Sequence, residues 1–311
     1  MSWLAYPLYR TGGWLVCRVP RRWEDMLLTL GAAAAFAVMV RRRRMVGRHL
    51  ERVAGRPLQG RERRRAVRAS FTSYARYWLD TFRLAELGAE ELDDRVDGAD
   101  VVVALDRALE GGNGAVLATP HFGSWDLGGA WLADRGYPLV TVVEQLRSRR
   151  LLQWFVELRR RRGFAVLVRA RGVRDQLVAA LERNEVVVLV CDRDLGRRGV
   201  AVDFFGERTT LPSGPAWLAR VCDAPLIPVA VHHVGSGRHR GVALAPVAVQ
   251  HSDDERDDVA VTTQRLARAL EILVSAAPEE WHLMVPNWPS DTEHAVSRGH
   301  GVPPDMSDRR G

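Results

Sequence analysis

The stretch GAVLATPHFGSWDLGGAWLADRG (114–136) joins a short apolar run to a segment with helical character. The run up to Pro120 predicts a buried strand, Gly123 permits a tight turn, and Ser124 is a residue type that caps helices. A strand followed closely by a helix is half of a βαβ unit. This stretch therefore predicts an α/β fold, and it places its polar loop at the carboxyl end of a strand.

The same alternation continues through the next hundred residues. Four further runs rich in Val, Ile and Leu predict strands: YPLVTVVE (137–144), FAVLVR (164–169), VVVLVCD (186–192) and PLIPVAVHH (225–233). The segments 125–135, 147–162, 172–183 and 213–223 are predicted as helices, with a further strand at 241–250 and a late helix at 258–277. Alternating strands and helices indicate a mostly parallel central sheet flanked by helices.

The N-terminal part has a different character, because it concentrates the positive charge. The chain has 311 residues, no lysine, and a net charge of +7. Residues 1–84 hold 18 arginines against five acids, whereas the rest of the chain is mildly acidic. This distribution predicts a surface for an anionic partner. We therefore divide the chain into a basic, aromatic helical region (1–95), an α/β domain (96–290) and a flexible tail (291–311).

The apolar run MLLTLGAAAAFAVMV (26–40) is too short for the ~20 residues that span a bilayer, and Arg41–Arg44 follow it directly. One interpretation is a buried helix whose arginines complement the helix dipole. The other is a helix that lies in or against a membrane interface. Aromatic residues upstream favour the second, because such rings prefer the headgroup zone; they are Trp3, Tyr6, Tyr9, Trp14 and Trp23.

Residues 61–84 predict an amphipathic helix. Its apolar stripe recurs at helical spacing and consists of Val67, Phe71, Tyr74, Trp78 and Phe82. Most of its arginines fall on the other faces: Arg63, Arg64, Arg65, Arg68, Arg76 and Arg83. The helix can pack its stripe in a core and leave a solvated basic face, and that face can also rest on anionic phospholipid.

His121 and Asp126 are the candidate catalytic residues. With the helix starting at Ser124, His121 lies outside it and can fold back over its N-terminus. Asp126 is then expected to accept a hydrogen bond from one imidazole nitrogen, which leaves the other free to take a proton from a hydroxyl. Backbone N–H groups near the helix start are candidate donors to an oxyanion.

Other strand ends supply further candidates for substrate binding. Asp192, Arg193 and Asp194 follow one strand and Glu144 closes another, so these residues are expected to line the same crevice as His121. Glu207 and Arg208 lie in a predicted loop before a helix that Ser213 can cap, which is a candidate anion cradle.

Several function classes lose support from the sequence. The three cysteines lie far apart without metal-ligand spacing, so neither a disulfide framework nor a zinc site is predicted. No GxGxxG or GxxxxGK[ST] element follows a strand, and no GxSxG element supports a hydrolase. A nucleic-acid-binding protein stays a distant alternative. Against it, the aromatics lie on the apolar stripe and not among the arginines.

Three blocks carry a resemblance to a known family. HFGSWD (121–126) has the form of an HX4D/E motif, 192–219 looks like a later block, and PLIPVAV (225–231) is similar to a hydrophobic terminal block. Together, over roughly residues 1–290, they resemble the lipid A lauroyl/myristoyl acyltransferase branch of the lysophospholipid acyltransferase superfamily. HX4D in place of HX4E, and the ending WHLMVPNWP (281–289), resemble the actinobacterial members that acylate phosphatidylinositol mannosides.

The resemblance implies an enzyme that moves a fatty acyl chain from acyl-CoA to a mannose hydroxyl, with His121 as general base and no metal or cofactor. Asp192 matches the family's further acid, and Arg159 matches its arginine. The enzyme would work at the cytoplasmic face of the cell membrane, as a peripheral or monotopic protein on an anionic surface. A lipid A-like sugar or a lysophospholipid is the alternative acceptor, although FFGERT (204–209) departs from the FPEGTR form of the glycerol-phosphate enzymes.

Overall fold

The central feature of the fold is a seven-stranded sheet. The structure, a computed structural model, describes residues 5–145, 148–194, 196 and 198–296. The strands of the described residues are β1 (Val96–Asp97), β2 (Ala115–Thr119), β3 (Leu139–Val143), β4 (Ala165–Val168), β5 (Val186–Val190), β6 (Val200–Phe204), β7 (Glu207–Leu211), β8 (Leu226–Gly235) and β9 (Arg238–Ala243). The order across the sheet is β1-β9-β8-β2-β5-β3-β4, and β6 and β7 form a separate hairpin.

Helices cover both faces of this sheet. They are α1 (Ala5–Arg18), α2 (Glu24–Val38), α3 (Val40–Ala54), α4 (Gly60–Arg83), α5 (Ala89–Arg95), α6 (Ala99–Leu109), α7 (Trp125–Asp134), α8 (Arg149–Arg160), α9 (Val173–Glu182), α10 (Gly214–Cys222), α11 (Glu255–Ala276) and α12 (Pro289–Val296). One apolar core lies between the sheet and α5–α8, and another lies between the sheet and α9–α11. The predicted α/β class is therefore confirmed.

Within the seven-stranded sheet, the strand pairing is parallel with one exception. The pairs β1–β9, β2–β8, β2–β5, β5–β3 and β3–β4 are parallel, whereas β8 and β9 are antiparallel. The five predicted strands between residues 114 and 233 are confirmed within one or two residues at most ends. The strand predicted at 241–250 is wrong in its bounds, because β9 begins at Arg238 and ends at Ala243. Pro246 has no N–H for a ladder, which is consistent with this early end.

The N-terminal helices pack on α4 and extend the molecule beyond the sheet. The apolar stripe of α4 is buried at Val67 and Phe71, which meet Val46 and Leu50 of α3 in a third apolar cluster. Arg83 does not belong to a solvated basic face as predicted. It is buried, donates to the carbonyls of Val16 and Val19, and pairs with Glu24. This arginine therefore ties α4 to the N-terminal helices.

The apolar run 26–40 is divided between two helices, since α2 ends at Val38 and α3 begins at Val40. None of the described helices has the length and apolar character needed to cross a membrane. Several apolar side chains of this region are exposed, among them Trp14, Leu15, Met26, Leu30 and Val38. Leu28 and Ala32 are buried, so α2 buries one face and leaves the others exposed, and both sequence interpretations of 26–40 stay predictions.

The C-terminal tail predicted from residue 291 begins as a helix. Asp291 in α12 is fully buried and accepts hydrogen bonds from the backbone of Asn287 and Trp288 and from Arg52 of α3. These bonds explain why the segment is ordered despite its polar composition. The remainder of the predicted tail, 297–311, lies outside the described residues, as does Trp3.

Candidate active site

The loop that follows β2 sits at the centre of the sheet. β2 lies between β5 and β8, and its last residue, Thr119, pairs with Val190 at the end of β5. The carboxyl ends of both strands therefore open on the same edge, where ligands bind in open α/β sheets. Gly123 has a φ of +54°, and a Cβ there would lie 1.8 Å from the Val231 carbonyl oxygen. The predicted tight turn is confirmed, because only glycine fits this approach.

His121 pairs with Asp192 and not with Asp126. Its Nδ1 lies 2.6 Å from Asp192 Oδ1, across the adjacent carboxyl ends of β2 and β5. Asp192 is fully buried, and its second oxygen, Oδ2, accepts a hydrogen bond of 2.7 Å from Trp281 Nε1. Burial raises the pKa of this carboxyl, but the charge of His121 and the bonds from His121 and Trp281 outweigh it and hold the pKa below its usual range.

Asp126 has a different set of partners. Its Oδ1 accepts from Arg159 Nε at 2.7 Å, and its Oδ2 accepts from the Tyr77 hydroxyl at 2.9 Å and from Arg159 Nη2 at 3.1 Å. The expected hydrogen bond from His121 to Asp126 is therefore wrong. The reason is that Asp126, in the first turn of α7, faces α4 and α8, whereas the imidazole faces β5.

Asp126, Arg159 and Tyr77 form a buried cluster next to the imidazole. Burial and the Asp126 charge raise the pKa of Tyr77 well above its usual value, so the hydroxyl stays protonated and donates. Burial lowers the pKa of Arg159, but Asp126 more than compensates and keeps the guanidinium charged. A bidentate pair of this kind holds α7 and α8 in a fixed relation.

A segment near the C-terminus holds the backbone of the His121 loop. His282 N–H donates to the His121 carbonyl at 2.7 Å, and Gly123 N–H donates to the Glu280 carbonyl at 2.9 Å. The Glu280 carboxylate lies beside them and accepts from the His233 N–H at 3.1 and 3.0 Å. Burial raises the pKa of Glu280 to about 7. We call residues 280–282 the strap.

Hydrogen bonding in this loop corrects two predictions about the start of α7. Ser124 Oγ does not cap the helix; it donates to Asp80 Oδ2 at 2.6 Å. The amides of Gly123 and Ser124 are already bonded to the carbonyls of Glu280 and Val231. The N–H groups of Leu127 and Gly128 both donate to the Ser124 carbonyl at 3.1 Å, so the candidate oxyanion donors at this helix start are the N–H groups of Trp125 and Asp126.

A cavity of about 300 Å³ opens beside the imidazole. Five of the predicted site residues line it: His121, Asp126, Glu144, Arg159 and Arg193. Glu144 and Arg193 follow β3 and β5 and form an ion pair of 3.1 Å. Most of the remaining wall is apolar and comes from the strands and from α4, α6, α7 and α8.

Asp192 is bonded to His121 but does not line the cavity, and three other predicted residues do not reach it. Asp194 accepts hydrogen bonds from the amides of Gly196 and Gly199 and from Thr210, so it fixes the turn after β5. Glu207 and Arg208 are not in a loop but in strand β7, and Glu207 pairs with Arg52 at 2.8 Å. Ser213 makes no capping bond at α10. The predicted anion cradle at 204–213 is therefore wrong.

Three residues of this site were not predicted from the sequence: Tyr77, Trp281 and His282. His282 is buried, its Nε2 lies 2.9 Å from Ser73 Oγ, and burial together with the charge of His121 lowers its pKa to about 3. Trp281 and His282 belong to the block WHLMVPNWP. The polar groups of these two side chains within an apolar run were the sequence signal that could have indicated them as site residues. Tyr77 lies off the apolar stripe of α4, so periodicity gave no signal for it.

Known proteins resemble this chain over most of its length. A family model described as bacterial lipid A biosynthesis acyltransferase matches residues 1–290. The phosphatidylinositol mannoside acyltransferase of Mycolicibacterium smegmatis is 37% identical over 286 residues, 91% of each chain. A protein of the same name from Mycobacterium tuberculosis is 42% identical over 230 residues, 72% of this chain and 70% of the relative.

A more distant relative, the lipid A biosynthesis acyltransferase of Haemophilus influenzae, is 26% identical over 180 residues, 57% of this chain and 54% of the relative. The residues that the family model matches, 1–290, include the carboxyl ends of β2 and β5, which are followed by His121 and Asp192. The chain thus belongs to the bacterial lipid A biosynthesis acyltransferase family.

Proposed function

We propose that the protein transfers a fatty acyl chain from acyl-CoA to a mannose hydroxyl of a phosphatidylinositol mannoside, at the cytoplasmic face of the cell membrane. The observation that carries the proposal is the pairing of His121 with buried Asp192 at the entrance of an apolar cavity. The choice of a phosphatidylinositol mannoside as the acceptor rests on the names of the two mycobacterial relatives.

His121 acts as the general base in this proposal. Asp192 remains ionised because its pKa is lowered, and a carboxylate only accepts hydrogen bonds. The proton of the imidazole therefore lies on Nδ1, and the lone pair lies on Nε2. Asp192 replaces Asp126 as the residue that fixes the tautomer and stabilises the imidazolium.

The transfer requires no nucleophile from the protein. The acceptor hydroxyl oxygen forms a bond to the thioester carbonyl carbon while its proton moves to Nε2 of His121. The tetrahedral oxyanion then collapses, the carbon–sulfur bond breaks, and the CoA thiolate leaves with the proton from the imidazolium. N–H groups in the first turn of α7 are the proposed donors to the oxyanion.

The walls of the cavity support a fatty acyl donor. A saturated chain offers no hydrogen bonds, so its binding free energy comes from apolar surface removed from water. The charged lining residues are Glu144 after β3, Arg193 after β5, and the ion-paired Asp126 of α7 and Arg159 of α8. Apart from His121, the threonine hydroxyls and the Tyr77 hydroxyl, which donates to Asp126, the other lining side chains are mostly apolar.

Radiolabelled palmitoyl-CoA, incubated with the full chain in mixed micelles and a panel of acceptor lipids, tests the proposal. We expect the label in the phosphatidylinositol mannoside and its loss in His121→Ala. His251→Ala, at an exposed histidine distant from the cavity, is the matched control. Label in a lysophospholipid or a lipid A-like sugar would identify that lipid as the acceptor and contradict the proposed one. Full turnover by His121→Ala would contradict the mechanism.

The N-terminal helices supply the proposed membrane contact. Trp14, Leu30 and Val38 present apolar surface to solvent, with Val38 80% exposed. Arg41, Arg42 and Arg44 are exposed close by, whereas Arg43 turns back to the Phe36 carbonyl at 3.1 Å. Exposed apolar side chains next to arginines are typical of a helix that lies at an anionic interface.

Sedimentation with vesicles that contain phosphatidylglycerol tests this contact. We expect substitution of Arg41, Arg42 and Arg44 by Ser to reduce binding strongly at low salt. Substitution of three exposed arginines of the α/β domain, Arg107, Arg171 and Arg256, removes the same charge and should leave binding unchanged. Equal losses in both triple variants would contradict a specific N-terminal surface.

A further inference from the structure

The cavity beside His121 extends across the sheet. Six neighbouring strands contribute to its wall: Val96 of β1, Gly241 of β9, Val229 of β8, Leu117 of β2, Val188 of β5 and Val143 of β3. Five inter-strand spacings of about 4.8 Å put its two ends roughly 24 Å apart. The cavity is therefore long and narrow, a shape that suits an extended chain.

The two ends differ in polarity and exposure. At the β3–β5 end, Glu144 is exposed and pairs with Arg193. At the β9 end, the lining residues Val96, Val101 and Trp131 are all buried, and no charged residue is among the lining residues there. The first end is the mouth, and the second is a closed apolar floor.

Trp131 of α7 is the largest side chain of this floor, and its indole is held from several sides. Nε1 donates to Asp93 Oδ1 at 2.8 Å, and the Arg135 guanidinium carbon lies 4.4 Å from the ring centroid. A Cβ on Gly98 would lie 2.4 Å from the six-membered ring, so the indole packs directly on the backbone before α6. Contacts of this kind leave the ring no room to move aside for a longer ligand.

We propose that Trp131 sets the maximum length of the acyl chain that this cavity accepts. The inference rests on the proposed function, in which an acyl chain occupies the cavity. A chain that reaches the indole gains apolar contact with each methylene up to that point. A longer chain must leave its last carbons outside, or strain a wall that is already packed.

Two substitutions at the floor should change the preferred length in opposite directions. Trp131→Phe shortens the aromatic side chain and deepens the cavity, so chains two carbons longer than the wild-type optimum should gain about tenfold in relative kcat/KM. Val101→Phe fills the floor from α6 and should favour shorter chains by a similar factor. Trp217→Phe, on α10 at the other face of the sheet, is the matched control and should leave the profile unchanged.

The experiment measures transfer from a series of acyl-CoA donors with 10 to 20 carbons, together with thermal unfolding of each variant. Binding of the same donors to each variant in a His121→Ala background gives the length preference without turnover. Opposite shifts in Trp131→Phe and Val101→Phe support the proposal. If one variant does not fold, the other decides by the direction of its shift.

The failure of this proposal is distinguishable from the failure of the proposed function. Unchanged length profiles in folded variants, with transfer intact in the wild type, overturn the role of Trp131 alone. Binding with shifted lengths but no transfer by the wild type supports the role of Trp131 and overturns the proposed reaction. Absence of acyl-CoA binding to any variant overturns both.

Discussion

The two ends of the HX4D segment are held by different parts of the molecule. Its first residue, His121, is bonded to Asp192 from the neighbouring strand β5, while the strap fixes its backbone. Its last residue, Asp126, is bonded to Arg159 and Tyr77 from α8 and α4. The two acids near the imidazole thus differ in their contacts: Asp192 holds the imidazole, and Asp126 joins three helices.

The difference shows that spacing in a motif does not define which side chains touch. Asp126 is five residues from His121 but faces another direction, whereas Asp192 is 71 residues away and in hydrogen-bond contact. A test of the two roles is to remove each acid separately and compare catalysis with stability.

The largest effect is expected for Asp192→Asn. An amide cannot stabilise the imidazolium as a carboxylate does, so kcat should fall by about 10³–10⁴ while KM and the melting temperature change little. Asp194→Asn is the matched control, because within the described residues this neighbouring acid binds its own turn and Thr210. Steady-state kinetics and thermal unfolding of both variants test this prediction. Equal kinetics in the two variants would contradict the proposal that Asp192 orients the imidazole.

Asp126→Asn should act first on stability. It leaves the buried Arg159 guanidinium without its counter-charge, which typically costs about 3 kcal/mol in the free energy of unfolding. Asp134→Asn, at the exposed end of the same helix, should cost much less. Denaturant unfolding gives both values. A further substitution of Arg159 by Met should recover part of the loss, and no recovery would contradict the ion-pair explanation.

Glu280→Gln tests the strap through the pH dependence of stability. The folded-state pKa of about 7 lies above the usual value near 4.3, so between these pH values the folded state binds more protons than the unfolded state. This carboxyl therefore lowers stability progressively as pH rises from about 4 to 7. The Gln variant lacks that loss and should be more stable than the wild type at pH 8 by about 2 kcal/mol.

The control for this comparison is Glu90→Gln, at an exposed position of α5, which should follow the wild-type pH profile. Thermal unfolding at several pH values between 4 and 8 measures the three proteins. A Glu280→Gln variant whose stability falls with pH as steeply as that of the wild type would assign the pH dependence to another group.

The smallest effect is expected for Tyr77→Phe. It removes one hydrogen bond to Asp126 but leaves the bidentate bond from Arg159, so the cost in unfolding free energy should be about 1 kcal/mol. Turnover should stay within a few-fold of the wild type. A loss in stability as large as that of Asp126→Asn would show that the hydroxyl, and not the guanidinium, holds the carboxylate.

The amino-acid sequence alone was enough to predict the α/β class, most strand and helix positions and the glycine turn after β2, and it indicated His121 as a candidate base. These features depend on local patterns: β-branched runs, helical periodicity, and a glycine where no Cβ fits. The resemblance of its motifs also pointed to the family that the comparisons then showed. The same reasoning placed Glu207 and Arg208 wrongly, because a short hairpin and a polar loop share residue types.

Only the tertiary structure decided which groups meet. Asp192 reaches His121 because β5 pairs directly with β2, although β3 and β4 lie between them in the chain. That order is set by packing across the whole sheet, and no local spacing encodes it. The same holds for Tyr77, for the strap, and for the indole of Trp131 at the cavity floor. Each of these side chains acquires its role from elements that are distant in sequence and adjacent only in the folded chain.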